Sequence, residues 1–450
     1  MGHGIAQQQV ILLFDRYDSG SKDLHHSFRA IHCHFPALVI EDNGFLPDGV
    51  QSIYGSYLGD YRNSCAGLGR PRYFNEVEIP DYWEISATNL MGQVCDLNHE
   101  RARIFFSSPT HNRHVQTVEW LDEAGTVRYA DHYNKYGAIF ARTTMQSNGQ
   151  RMMKSYFSAD GREMIVENYL TGDVILNDGD EVRIFPNKTQ FVCHFLSSYG
   201  YDRARLFFNS LSTPFFVSCQ LPAAERKDVL FWQENIQDAI PGNMKMILDG
   251  SAQRVEKIYV QKQRAYDKLM ALGADPNLVQ RKGFLYSFRR ENLCRPSALI
   301  CTNSDQIEQC EALVSTLPQV EFHIAALTEM SSKLMNMGRY ANVHLYPAIK
   351  KSRVGELFAA SDIYLDINHG GEILNGVRRA FINNLVIYSF ANTLHNPDFV
   401  APEQVYQPEH ADQMIAAIQA LAGDPKQTQR VIALQHQAAL EETPQSFSQI

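Results

Sequence analysis

Val10 to Phe14 is an unbroken run of five apolar residues, followed by the polar segment DRYDSGSKD and then by helically spaced apolar positions through Phe35. A second apolar stretch, Ala37 to Ile40, comes next. Apolar runs bounded by polar turns read as strands covered on both faces, so the chain opens as strand, helix, strand, the start of a parallel α/β layer. From about Tyr73 to Phe185 the pattern changes. In Glu181-Val182-Arg183-Ile184 the apolar residues fall at every second position, the period of a sheet with one solvated face. Two-residue turn signals recur at Asn148-Gly149, Asp160-Gly161 and Asp178-Gly179, and mark consecutive antiparallel hairpins. This region is predicted to be a β-meander of eight or more strands.

The α/β pattern resumes with Asp228 to Trp232, the segment Met244 to Leu248, and Lys257 to Val260 leading into a helix over Arg264 to Leu272. The first α/β domain is therefore split by the meander. A second begins near Pro296. Its predicted strands are Ala298 to Cys301, Glu321 to Ala325, Val343 to Tyr346, Ile363 to Ile367 and Leu385 to Tyr388, with helical segments between. Parallel pairing needs a crossover of a dozen or more residues, and this spacing supplies it. Beyond about Ala411 the chain is helical to near its end, with a Gly-Asp-Pro break at 423–425. The predicted boundaries are 10–60 and 201–290 for the split first domain, 61–200 for the insertion, 291–425 for the second domain and 426–450 for a C-terminal helical segment. Two parallel α/β domains facing across a cleft are the architecture of GT-B glycosyltransferases, and the fold class is read as α/β, GT-B with two Rossmann-like domains and an inserted antiparallel meander.

Composition narrows the function. A length of 450 residues calls for two or three domains, and 44% hydrophobic with 20% charged residues describes a globular chain. A net charge of −9 argues against a nucleic-acid surface. No apolar run reaches the roughly 20 residues needed to span a bilayer, and MGHGIAQQQ lacks the features of a signal peptide, so a cytoplasmic location is expected, with any contact at the inner face of the membrane made peripherally through partners. The eight cysteines (33, 65, 95, 193, 219, 294, 301, 310) form no C-x-x-C pair and read as reduced, mostly buried thiols. His25, His26, His32, Cys33 and His34 lie on one helical stretch, where alternate residues point to different faces, so no metal is expected. No cofactor is expected either. Gly20-Ser21-Lys22 at a helix start is a weak phosphate signal without the rest of a P-loop, and Asn187-Lys188-Thr189 reads as a capped turn.

The stretch from Ser361 to Phe390, SDIYLDINHGGEILNGVRRAFINNLVIYSF, is strand, glycine-bearing turn, helix, strand. It resembles the sugar-nucleotide corner of a GT-B glycosyltransferase, which carries two glutamates eight residues apart, one for the transferred sugar and one for the ribose. Here the pair is broken. In one register the two positions are Gly371 and Arg379, and in the other they are Glu372 and Ala380. Donor phosphates also need cations or helix N-termini. From Pro296 to Ser332 there is no Lys or Arg, while Asp305, Glu308, Glu311, Glu321 and Glu329 add five negative charges. A helix start at Thr302 to Asp305 is the expected source of free backbone N–H groups, and Lys350, Lys351, Arg289 and Arg290 are the expected reserve of charge.

The segments DHYNKYGAIFART (131–143), DVLFWQENI (228–236), PGNMKMI (241–247), TNSDQIE (302–308), FHIAALTEMSSKL (322–334) and YLDINHGGEI (364–373) are much more specific than any short motif. Through them the chain resembles the GtfB family from Val10 onward, with only the first nine residues outside the pattern. The resemblance implies a non-catalytic, stabilising and substrate-recognising subunit of a bacterial O-GlcNAc transferase acting on serine-rich-repeat adhesins before export by the accessory Sec pathway. It implies a GtfA-like catalytic partner that uses UDP-GlcNAc, and an unfolded acceptor rich in Ser and Thr held by this chain. Ligands of open α/β sheets bind beyond the carboxyl ends of strands, so three clusters are the candidate acceptor contacts: Trp232, Glu234 and Asn235; Asn303, Ser304 and Asp305; and His369, Gly370 and Glu372. Trp232 has a competing reading as core, and His369 one as a turn residue or as a catalytic base. An active retaining glycosyltransferase with a rearranged donor site, and a purely structural stabiliser, are the alternatives.

Overall fold

The computed structural model describes residues 9–450 apart from Cys65, Asp180 and Ala422, so eight of the nine N-terminal residues set apart above, and the Cys65 thiol, lie outside the described residues. The chain divides into two compact units, residues 9–259 with 272–280, and residues 260–271 with 281–450.

In the first unit β1 (Val10–Arg16) is central, flanked by β2 (Ala37–Glu41) and, across the insertion, by β14 (Arg205–Phe208). Helix α1 (Ser19–Ala30) joins β1 to β2. It stops five residues before the predicted end at Phe35. His32 takes a positive φ of 60° and Cys33 N donates to Phe28 O, which closes the last turn early. Outward from β2 lies β3 (Val50–Ser52), and outward from β14 lie β15 (Asp228–Trp232), β16 (Val255–Val260) and β17 (Val279–Arg281), completing seven strands. Met244 to Leu248 falls in a helix, α4 (Gly242–Leu248), and the predicted helix over Arg264 to Leu272 is α5 (Gln263–Ala271). Ile11 to Phe14 are fully buried, as continuous apolar runs in a doubly covered sheet require.

Between β3 and β14 the chain builds ten antiparallel strands, β4 (Glu84–Ala87) through β13 (Glu181–Phe185), hydrogen-bonded strictly in chain order. Gly149, Gly161 and Gly179 sit at the three marked turns with φ of 81°, 85° and 66°, the left-handed region where a side chain would be strained. After the last strand Asn187 caps α2 (Lys188–Ser198), its Oδ1 accepting from Gln190 N at 2.9 Å. Lys188 ties the layers together. Its Nζ contacts Glu41 at the end of β2 and lies 2.7 Å from Glu167 on β11 (Glu163–Asn168). Burial alone would lower this ammonium, but Glu167 and Glu41 together raise it above the ordinary lysine value.

The second unit is a six-stranded parallel sheet in the order β20-β19-β18-β21-β22-β23. These are β18 (Ser297–Thr302), β19 (Glu321–Ala326), β20 (Val343–Tyr346), β21 (Ile363–Asp366), β22 (Val386–Phe390) and β23 (Val405–Tyr406), so every predicted strand is present within a residue or two. Alternate residues feed opposite faces. Ala298, Ile300, Phe322, Ile324, Leu365 and Tyr388 pack under α6 (Cys310–Thr316), α10 (Ala411–Leu421) and α11 (Pro425–Ala438). Leu299, Cys301, Tyr364 and Ile387 pack under α8 (Lys351–Ala360) and α9 (Gly376–Ile382). Cys301 and Cys310 are buried, but the other five described cysteines are not, which corrects the expectation of mostly buried thiols. Among the described residues no helix is long and apolar enough to cross a membrane.

Strand β23 pairs only with Ser389 and Phe390, which leaves the preceding edge of β22 open. Two buried amides close it. Gln435 on α11 accepts from Ile387 N at 2.7 Å and donates to Leu385 O at 3.0 Å, and Gln404 donates to Ile387 O at 2.8 Å. A side chain standing in for a strand is irreplaceable by an apolar residue, because two buried backbone groups lose their partners. Gln435→Leu is expected to destabilise the second unit by about 3 kcal/mol in urea unfolding, while the exposed Gln437→Leu changes it by less than about 0.5 kcal/mol.

Candidate functional site

The carboxyl ends of β18 and β21 carry the second-unit candidates. Thr302, buried, donates through Oγ1 to Asn368 Oδ1 at 2.7 Å, and Asn368 Nδ2 reaches Asn303 Oδ1 at 3.3 Å. Gly370 N donates back to Asn368 Oδ1 at 3.1 Å. A side chain at 370 would displace the Asn303 amide, since a Cβ there would lie 1.8 Å from Asn303 Oδ1. The loop after β18 is also pinned by backbone pairing, with Glu308 N donating to Ile367 O and His369 N to Gln306 O. For that reason the expected helix start at Thr302 to Asp305 is absent: residues 303–309 form turns and α6 begins only at Cys310. Asp305 instead accepts from Ser331 Oγ at 3.1 Å.

His369 is exposed and its Nε2 lies 2.7 Å from Glu308 Oε2, which also accepts from Asn392 Nδ2 at 2.8 Å. Burial would raise the Glu308 carboxyl, yet Asn392 and His369 hold it below its ordinary value. Glu372 Oε1 accepts from Val377 N at 3.0 Å, in the first turn of α9. Desolvation and then the neighbouring Asp366 hold the Glu372 carboxyl above its ordinary value, against the pull of that N–H. Gly371 faces open space, Arg379 lies over the Phe358 ring at 4.7 Å, and Ala380 is fully buried. Neither register therefore presents two carboxylates.

Residues the sequence did not single out complete the corner. His395 Nδ1 lies 2.6 Å from Asp366 Oδ1, its backbone N donates to Asp366 Oδ2 at 2.8 Å, and its Nε2 lies 2.6 Å from Gly370 O. The hydrogen bond to Asp366 is the main reason that the imidazole is raised to about 9, so it is a cation at neutral pH, already matched by the buried carboxylate. Of the expected reserve cations, Arg290 is bound instead to Asp362 at the opposite, amino end of β21, 2.6 Å away, beside Arg295 at 2.7 Å. The Lys351 side chain lies outside the described part.

The first-unit candidates are Trp232, Glu234 and Asn235. Trp232 is 1% exposed, a core ring whose Nε1 has no hydrogen-bond partner. Glu234 and Asn235 are exposed beyond the end of β15, with Glu234 Oε1 accepting from Ser210 Oγ at 3.0 Å. At the nearby start of α1 the Gly20-Ser21-Lys22 segment is closed to phosphate. Asp18 Oδ1 accepts from Ser21 N at 2.9 Å, and a Cβ on Gly20 would lie 2.7 Å from Gln233 Oε1.

Four family models match successive parts of the chain: GtfB N-terminal domain (11–57), GtfB middle domain (83–186), GtfB third domain (188–272) and GftB/GlyA-F C-terminal domain (298–436). A stabilizing protein GtfB of a UDP-N-acetylglucosamine–peptide N-acetylglucosaminyltransferase from Streptococcus gordonii is 43% identical over 92% of both chains. Its counterpart from Streptococcus pneumoniae is 41% identical over 96% of both. The chain belongs to the GtfB family. A chain in the crystal structure of a GtfA/B complex bound to UDP and GlcNAc superposes with a TM-score of 0.92, 40% identity and 98% coverage of each. TarM, at 10% identity and a TM-score of 0.51 over 99% of this chain and 98% of its own, shares the fold. The GT-B class with an inserted meander, read from the sequence, thus stands.

The imidazole–carboxylate pair gives a titration with a definite sign. Since the folded value of His395 lies above that of a free histidine, its contribution to stability is complete below about pH 6.5 and is lost as pH rises through about 9. In an NMR titration the His395 ring is expected to change charge near pH 9. The stability difference between the natural chain and His395→Gln is expected to disappear above that pH; a ring titrating near 6.5 contradicts the assignment.

Proposed function

We propose that this chain is the non-catalytic subunit of a peptide O-GlcNAc transferase: it stabilises and activates a GtfA-like enzyme that uses UDP-GlcNAc, and it holds the unfolded, Ser/Thr-rich adhesin acceptor. The observation that carries the non-catalytic part is Glu372. It is the one carboxylate left in either acid-pair register, and it caps the first turn of α9. A diphosphate brought to this corner would meet Asp366, Glu308 and Glu372 with the His395 charge already neutralised.

The stabilising part is supported by full-length similarity to GtfB relatives named for that role and to a chain crystallised in a GtfA/B complex. The meander fits the docking role. Its last strand β13 exposes Val182 and Ile184 at 64% and 66%, and near its other edge Tyr82, Leu90 and Leu97 are exposed, apolar surface that favours a protein partner. For an acceptor with few large side chains, contacts must go to its backbone and hydroxyls. The convergent Asn303, Ser304, Asp305, His369, Gly370 and Glu372 offer such groups in the second unit, and Glu234 and Asn235 offer them in the first. A cytoplasmic site of action, touching the membrane only through the complex, goes with this role.

Incubated alone with UDP-GlcNAc and a Ser/Thr-rich peptide, the purified chain is expected to transfer no sugar. Added to the GtfA-like enzyme it is expected to raise transfer by about tenfold or more. Turnover by the chain alone that Glu372→Gln or His369→Ala abolishes overturns the reading in favour of an active transferase.

A further inference from the structure

The second unit has a concave surface away from the donor motif. It is a cavity of ≈ 210 Å³ between the start of α5, Arg281, the segment 397–403 and the last turns of α11. That exceeds the roughly 150 Å³ void that accepts benzene and falls below the roughly 300 Å³ at which drug-sized sites begin, so it is room for one small molecule. None of its lining residues belongs to the broken acid pair or to the candidate acceptor contacts. The floor is aliphatic. Val400 and Ala401 are buried, and Pro397, Leu434 and Ala438 are half-buried around them.

The rim carries both signs of charge. Arg264 in the first turn of α5 and Arg281 bring guanidinium groups, and Asp398 and Glu403 on the 397–403 segment bring carboxylates. The two sets are close together, since Lys262, just ahead of α5, holds its Nζ 3.9 Å from Asp398 Oδ2. Arg281 Nη1 donates to Gln263 Oε1 at 2.8 Å, which fixes that wall and leaves the rest of the guanidinium available. The side chains of Arg264 and Glu403 are exposed and have no partner among the described residues, so only water satisfies them in the free protein. A phosphate would meet Asp398 and Glu403, a diamine would meet the two arginines, and a wholly apolar ligand would strip water from all of these charges without replacing it. A molecule with a carboxylate and an ammonium on one carbon and an aliphatic side chain fits every part: the arginines fork onto the carboxylate, Glu403 and Asp398 accept from the ammonium, and the side chain covers Val400 and Ala401. The helix ends agree in sign, with the start of α5 on the carboxylate side and the end of α11 also lining the cavity.

We propose that this cavity is a binding site for a free α-amino acid with a branched aliphatic side chain. The bound zwitterion ties the start of α5 to the 397–403 segment and to α11, so occupancy stabilises the second unit. The inference goes beyond the acceptor-holding reading and does not depend on it.

The full chain titrated with L-leucine, N-acetyl-L-leucine and L-leucinamide tests this, read by calorimetry and by saturation-transfer NMR on the leucine methyl groups. Leucine is expected to bind and to raise the thermal midpoint as its concentration rises. Acetyl-leucine, which lacks the ammonium, and leucinamide, which lacks the carboxylate, are each expected to bind about tenfold more weakly, the worth of one hydrogen bond to a charged group. Arg264→Gln and, separately, Glu403→Gln change exposed side chains, so both variants are expected to fold with the unliganded midpoint unchanged and to weaken leucine binding by about the same factor. Acetyl-leucine is expected to be indifferent to Glu403→Gln, and leucinamide to Arg264→Gln. Absence of leucine binding, equal affinity for the three probes, or leucine binding that survives both substitutions overturns the site.

Discussion

A polar group taken out of bulk water must be met by another, and the second unit meets its buried and half-buried carboxylates from within. Asp362 is held by Arg290 and Arg295, Asp366 by His395, Glu308 by Asn392 and His369, Glu372 by the backbone of α9, and the open edge of β22 by Gln435 and Gln404. The same matching engages His395, Arg290 and Arg295, so these charges are not free for a pyrophosphate.

The parts of the fold legible in the sequence were those fixed by local pattern. Buried strands such as β15 and β18 are continuous apolar runs, and the meander announces itself through Asn-Gly and Asp-Gly turns with positive φ. What long-range contacts decide was not legible. Polar residues Thr302 to Asp305 look like a helix start, but Asn368 binds Thr302 and Asn303, the backbone of residues 367–369 pairs with residues 306–308, and α6 is delayed to Cys310. Strand β14 went unread because Arg205-Leu206-Phe207-Phe208 is short and opens on a charged residue, whose guanidinium is buried against Glu256.

The corner shows the same division. The broken acid pair is a matter of residue identity at fixed spacing and could be read directly. The Asp366–His395 pair joins residues 29 positions apart, brought together because the chain leaving β22 turns back over the end of β21. An isolated histidine in SFANTLHNP carries no mark of that partner. Trp232 could be read either as core or as contact because a strand's last residue sits at the border of both, and the seven-stranded sheet buries it.

Gly371, Arg379 and Ala380, the positions of the two registers that carry no glutamate, differ in what they would tolerate. At Gly371 a side chain meets open space, so the missing glutamate there is a matter of identity alone. At Arg379 the guanidinium covers Phe358 and lies near Cys301 and Tyr364; a glutamate would carry its carboxylate into that apolar, poorly hydrated pocket, where desolvation favours the neutral acid. At Ala380 there is no exposure at all, and a glutamate would overpack the face shared with Tyr364, Val377 and Phe381. Restoring one acid is therefore sterically free, but restoring the pair requires α9 to be repacked against α8 and the sheet. On this side α9 serves packing, with Val377, Ala380 and Phe381 fully buried against α8 and the sheet, so two carboxylates at this spacing do not fit without moving them.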